Sequence, residues 1–330
     1  MDPDVPSRYG CYRRRNLTLR SLCKLTAAGI CLLVLAPFTQ ADPIVAGDIL
    51  ISNHGGSDVQ LLDPTTGIVS TLVSVSGTPI GLAFDGSKNL YINVNDGIQR
   101  YNPGTGTLDA TFFTGSGQRE GLTFDPVTQN LFSVSFGGDH IEEVDLAGNL
   151  VNTINIPGSA DLLGISARGG ELVATDYGNG NVYLSNTLTP TVWTTIANIA
   201  GGNIYAPDID AAGNIFVNDF ATGTVVELAA GTFAKSTFIS GLSGPDNGLS
   251  IGDNGNFTIS QFYANEVSLY DSSGALIKSF SGVANPDELV VFAPVRSGGG
   301  GGNVPEPGTV VLLGTALLSL GTIYRRKNRA

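Results

Sequence analysis

Gly81-Leu82-Ala83-Phe84-Asp85, then Asn89-Leu90-Tyr91-Ile92, then Gly97-Ile98-Gln99-Arg100-Tyr101, then the turn Asn102-Pro103-Gly104-Thr105-Gly106: three short β-type runs punctuated by Gly, Asn, Asp and Pro. Alternating apolar and β-branched residues between turn formers read as strands, and no ten-residue helical stripe interrupts them. The second of these runs recurs along the chain. Asp48-Ile49-Leu50-Ile51, Asn89-Leu90-Tyr91-Ile92, Asn130-Leu131-Phe132-Ser133, Glu171-Leu172-Val173-Ala174, Asn214-Ile215-Phe216-Val217 and Asn256-Phe257-Thr258-Ile259 repeat at intervals of 41 to 43 residues. Four short strands per period of this length make the blade of a β-propeller, an all-β fold. The first unit begins at its second strand. Asp287-Glu288-Leu289-Val290-Val291-Phe292 supplies the missing innermost one, so a C-terminal strand closes the first blade and the ring counts six. A β-sandwich gives no reason for six matched units, and a β-helix has much shorter coils.

The body spans residues 42–296, between two processing segments. Residues 1–41 read as a secretory signal peptide. Arg13-Arg14-Arg15, Arg20 and Lys24 precede an apolar run from Leu25 to Leu35, and Thr39-Gln40-Ala41 sets up cleavage by signal peptidase after Ala41. Arg14-Arg15-Asn16-Leu17 is a faint twin-arginine pattern, and the general secretory route is the expected one. At the other end, residues 297–303 form a Gly-rich linker. Residues 304–330 form a three-part tail: Val304-Pro305-Glu306-Pro307, an apolar stretch over 309–324, and a basic end over 325–329 carrying Arg325, Arg326, Lys327 and Arg329. The apolar stretch is short for a bilayer core, which takes about 20 residues. Flanking basic side chains can snorkel to extend it and hold that end on the cytoplasmic side, making it a short transmembrane segment.

This tail resembles the PEP-CTERM sorting signal of Gram-negative bacteria. The resemblance implies recognition by an exosortase-type membrane protease or transpeptidase, anchoring in the inner membrane during transit, and a destination at the cell surface or in an exopolysaccharide matrix.

Cys11, Cys23 and Cys31 all precede the cleavage point. The exported body is therefore expected to have no disulfide, zinc–thiolate site or cysteine nucleophile. Cys31 follows Ile30, where a lipoprotein cleavage box takes a small residue. Residues 42–304 keep 7 of the 17 basic and 26 of the 29 acidic residues, a net charge of −19. Such a surface repels phosphate backbones, so no nucleic acid partner is expected; cations, neutral sugars and cationic surfaces remain.

In a propeller, connections alternate between two faces. One face receives tight turns such as Asp63-Pro64-Thr65-Thr66-Gly67 and Asp271-Ser272-Ser273-Gly274. The other receives the crossovers between blades and the loops after each second strand, where a site is expected. Those positions hold Glu120, Asp161, Asp208, Asp246-Asn247 and Asp287, with Asn95-Asp96, Asp176, Asp219 and Gln261 from the loops. A ring of carboxylates and amides could hold a hard cation such as Ca²⁺; equally, Asp and Asn cap turns by bonding nearby amides. Through Pro207-Asp208-Ile209-Asp210 and Gly213-Asn214-Ile215-Phe216-Val217, the body resembles the six-bladed NHL and gluconolactonase-like group. That resemblance implies a metal held by a Glu, an Asn and an Asp, and Glu120, Asp208 and Asn247 are the candidates here.

Other residues point less clearly to chemistry. His54 and His140 are the only histidines, each in a Gly-rich loop. No Gly-x-Ser-x-Gly elbow or acid-oriented Ser–His pair is legible. Glu142-Glu143 reads as an exposed strand pair and Trp193 as packing. Phe136, Tyr177, Phe220 and Phe262-Tyr263 recur after the second strands and could stack on sugars or pack between blades. The expected function is an exported binding or scaffold propeller with no assigned catalytic residue, with polysaccharide or a surface protein as partner. The competing expectation is a secreted metal-dependent hydrolase or lactonase.

Overall fold

The computed structural model describes residues 44–291 apart from residues 116, 137 and 138. The expected signal peptide, its cut after Ala41, Phe292, the linker and the sorting tail lie outside the described residues. Among the described residues no helix is long and apolar enough to cross a membrane.

Among the described residues, twenty-four strands form six four-stranded antiparallel sheets. From the axis outward, blade 1 comprises Pro286–Val291, Ile49–Asn53, Asp58–Leu62 and Val69–Ser74; blade 2 comprises Pro79–Phe84, Leu90–Val94, Gly97–Asn102 and Thr107–Thr114. Blade 3 runs Gln118–Asp125, Asn130–Phe136, His140–Asp145 and Leu150–Asn155, and blade 4 runs Leu162–Arg168, Glu171–Asp176, Asn181–Asn186 and Thr189–Asn198. Blade 5 has Ile204–Ile209, Ile215–Asp219, Thr224–Leu228 and Lys235–Ser240; blade 6 has Pro245–Ile251, Phe257–Gln261, Glu266–Tyr270 and Leu276–Ser281. The closing strand pairs Val291 with Ile49, Val290 with Leu50 and Leu289 with Ile51, which completes blade 1 from the far end of the body.

Successive residues of a strand point to opposite faces, and each blade buries both. In blade 1, Leu50 packs toward Leu82 and Ile92 of blade 2, while Ile49 and Ile51 pack toward Val267 and Phe280 of blade 6. Six such clusters lie between the six pairs of neighbouring blades. This explains the near-continuous apolar second strands that carry the repeat, since fully burying each Val, Leu or Ile is worth about 1.5–3 kcal/mol. Near the axis the blades converge and space runs short. A Cβ on Gly164 would lie 2.6 Å from Pro207 Cδ and 2.7 Å from the Tyr205 carbonyl oxygen of the next blade.

Two local devices set up the faces. At the tight-turn face, Asp85, Asp145 and Asp210 each accept hydrogen bonds from the backbone amides two and four residues on and from the side-chain amide of Asn89, Asn149 or Asn214. These bonds close the turns and hold the Asp145 carboxyl below the ordinary carboxylate range. At the opposite face, all six pairings of an innermost strand with its second strand carry a register shift near that end. Such bulges re-aim side chains locally. Here they turn one stretch of every blade toward the channel mouth.

Candidate functional site

The shifted stretches contribute Ile80, Glu120, Leu163, Tyr205, Asn247 and Asp287, one residue from each blade. Glu120, Asn247 and Asp287 meet. Asn247 Nδ2 donates to Asp287 Oδ1 at 3.0 Å and reaches Glu120 Oε2 at 3.5 Å. Gln118 Nε2 donates to Glu120 Oε1 at 3.0 Å, and His54 Nδ1 sits 2.7 Å from Asp287 Oδ2. Glu120, Asn247 and Asp287 are buried, while the His54 side chain is 44% exposed. Asp246, next to Asn247, adds a third carboxyl at the mouth. Glu288, next to Asp287, faces the channel one step deeper.

Burial, then the charge of Asp287, pushes the Glu120 carboxyl up to about 8. Burial followed by the charges of Asp287 and Glu120 raises Asp246 to about 8 as well. Glu288 is raised well above the ordinary range, first by burial and then by Asp287 and Glu120. His54 is raised by its hydrogen bond to Asp287. Near neutral pH the mouth therefore holds protons on carboxyls that would be ionised in the unfolded chain.

A pH dependence of stability follows. A group whose folded value lies above its unfolded value stabilises the fold below the unfolded value, and that contribution disappears as pH rises through the folded one. Glu120 starts from 4.5 and Asp246 from 3.8, and both reach about 8, so stability is expected to fall from about pH 4 to pH 8. His54 acts in the same direction. The hydrogen-bonded turn carboxylates Asp63, Asp145 and Asp271 oppose this trend only in acid, because their values are lowered. Thermal denaturation is expected to give a higher Tm at pH 5 than at pH 8, with a flatter profile for Glu120→Gln.

Of the three candidate metal ligands, Glu120 and Asn247 come together and Asp208 does not join them. Asp208 sits deeper on its innermost strand, paired with Phe216. Its oxygens accept from Ser166 Oγ at 2.9 Å, the Ile209 amide at 2.8 Å and the Ile251 amide at 2.7 Å. Asp287 takes its place beside Glu120 and Asn247. The Asn247 NH₂ group occupies the space between Glu120 and Asp287, presenting a positive end where a cation would stand. Among the described residues no group of three His, Asp or Glu side chains converges on a metal position. Below the mouth the channel widens into a cavity of about 990 Å³ whose lining includes Leu82, Leu122, Ile165, Asp208, Leu249 and Glu288.

Other residues behave differently from their sequence reading. Glu142 and Glu143 are buried rather than exposed: Glu142 pairs with Arg119, and Glu143 accepts from Asn130 Nδ2 at 2.7 Å. His54, in its Gly-rich loop, is held by Asp287. Trp193 packs against the cluster between blades 3 and 4, as expected. Of the aromatics after the second strands, Tyr177, Phe220, Phe262 and Tyr263 form a chain at the mouth that also includes Tyr205. Ring centroids are 5.5 Å apart for Tyr177–Tyr205, 5.0 Å for Tyr205–Phe220 and 5.3 Å for Phe220–Tyr263. The chain continues at 5.9 Å for Tyr263–Phe262 and 6.1 Å for Phe262–His54. Tyr205 and Glu288 escaped the sequence reading because only the bulge register puts them at the axis.

Comparison with known proteins agrees with this organisation. Residues 303–327 match the PEP-CTERM protein-sorting motif. The chain therefore carries a sorting tag that implies exosortase-dependent export and membrane transit. Its body is similar to a chain in the crystal structure of a nidogen/laminin complex, with TM-score 0.65 and 18% identity over 73% of this chain and 97% of that one. It is also similar to a protein of unknown function from Bacteroides caccae, with TM-score 0.59 and 12% identity over 77% of this chain and all of that one. At these identities the likeness speaks to the fold alone. No curated protein matches the chain.

Proposed function

We propose that this protein is an exported binding module, delivered to the cell surface or extracellular matrix of a Gram-negative cell, that works through the acidic mouth of its propeller. The observation carrying this reading is the gathering of Glu120, Asp246, Asn247 and Asp287 at one end of the axis. The groups are preset by the ring, so little ordering entropy is lost on binding. Polysaccharide or a surface protein is the partner class that suits the destination. The test is cosedimentation of the full chain with the producing cells' extracellular polysaccharide. The wild type is expected to pellet and the Glu120→Gln/Asp246→Asn double variant to stay in solution; equal behaviour of the two counts against the mouth.

A second reading, a metal-dependent hydrolase or lactonase, draws on one observation: the His54–Asp287 pair stands beside Glu120 and Asn247. Calorimetry with Ca²⁺ and Zn²⁺ and a lactone hydrolysis screen separate the two. Turnover abolished by Glu120→Gln or Asn247→Ala would replace the binding reading. For the tail, the intact mass of protein recovered from the cell surface is expected to lack everything beyond about Pro307. A retained apolar end would mean a simple anchor instead.

A further inference from the structure

We propose that the mouth is a receptor for an organic ammonium group, seated between the Asp246 carboxylate and the arc of aromatic rings; this rests on reading the mouth as a binding site.

The rings of Tyr177, Tyr205, Phe220, Tyr263, Phe262 and His54 run without interruption across blades 4, 5, 6 and 1. Tyr263 is 67% exposed. The chain leading into Asp246 runs against this arc, since a Cβ on Gly244 would lie 2.7 Å from the Tyr263 ring and 3.3 Å from the Phe220 ring; after burial, the Asp246 charge is also the largest influence raising the Tyr205 hydroxyl. The backbone amide of Asn247 donates to the Asp246 carboxyl. Glu120 and Asp287, by contrast, are already engaged by Gln118, Asn247 and His54. Asn247 Oδ1 is a buried acceptor with no partner among the described residues.

The site thus offers hydrogen-bond acceptors and the negative faces of π systems. A metal ion would make no use of the rings and meets the Asn247 NH₂ between its best oxygens. A neutral sugar would stack on the rings but leave Asp246 without a counter-charge. An ammonium on an organic body satisfies both, through charge pairing with the acid and cation–π contact with the arc. The net charge of −19 on residues 42–304 draws such ligands in at long range.

The test is calorimetric titration of the full chain, in nonionic detergent, with choline, its uncharged isostere 3,3-dimethylbutanol, and CaCl₂. Choline is expected to bind at least tenfold tighter than the isostere. Asp246→Asn is expected to weaken it tenfold or more, and Tyr263→Ala, at an exposed position that does not support the fold, severalfold. Choline stays charged at every pH, so its binding is expected to tighten between pH 6.5 and pH 9 as the Asp246 and Glu120 carboxyls, both raised to about 8, lose their protons; Asp287, His54 and Tyr205 are the other titratable groups facing Asp246. Equal binding of the isostere, or unchanged affinity in both variants, overturns the proposal. Absence of choline binding with polysaccharide cosedimentation intact overturns it while sparing the mouth as a binding site; loss of both removes the two together. Heat with calcium but not choline reassigns the mouth to a metal.

Discussion

Deleting residues 286–291 is expected to leave a chain without cooperative unfolding in urea or on heating, whereas removing the linker and tail leaves the transition in place. The deletion takes away the innermost strand of blade 1 and exposes the unpaired edge of Ile49–Asn53. It also strips Leu289 from the cluster that joins blades 6 and 1, where Ile49, Ile51, Leu62, Val267, Phe280 and Val283 are buried. An open ring leaves one blade boundary without its packing partner and a strand edge free to pair with another molecule. A milder probe reads the same bond: Leu289→Ala is expected to cost about 2–5 kcal/mol, seen as a lower urea midpoint. An unchanged midpoint in either variant would mean that closure does not hold the disk together.

The second large effect lies between blades 2 and 3. Arg119 is fully buried, pairs with Glu142, donates to Ser133 Oγ at 3.0 Å and stands 5.3 Å from the centroid of the Phe113 ring. Replacing it with Met keeps the volume but leaves the Glu142 carboxylate buried without its guanidinium. His140 Nε2, 3.5 Å from the other Glu142 oxygen, is a weaker substitute. Arg119→Met is expected to cost about 3–5 kcal/mol, because breaking a buried pair strands one charge. At about 2–4 °C per kcal/mol for a domain of this size, the loss is plain in a melting curve. The double variant Arg119→Met/Glu142→Leu is expected to recover most of it, since an apolar pair needs no counter-charge. A double variant as unstable as the single would locate the cost in packing rather than charge.

The blades were legible in the sequence because each repeats one physical demand. Second strands buried on both faces must be apolar at nearly every position, and Asp and Gly must close the turn beneath them, so Leu90, Leu131 and Ile215 announce themselves at a fixed interval. The missing innermost strand of the first unit was legible for the same reason, as a surplus strand at Leu289. The mouth was not. Glu120 and Asn247 stand 127 residues apart and His54 and Asp287 stand 233 apart, so no local spacing encodes their meeting. Which crossover residues face the axis is set by the bulges, and these leave no mark in composition. Asp208 shows the difficulty: Pro207 pairs with Val217 in mid-strand, which carries the carboxylate past the mouth into the channel. Glu142 misled in another way, since its partner Arg119 lies on a strand two removed within the same blade.

The pairing of Ile49 with Val291 places the first and last strand ends of the described fold side by side, at the end of the axis opposite Glu120 and Asp246. Chain continuing past Val291 therefore leaves the disk at the face opposite the charged opening. A reporter fused after Val291 would leave that opening clear, while an equal insertion at residues 219–224 would stand in front of it.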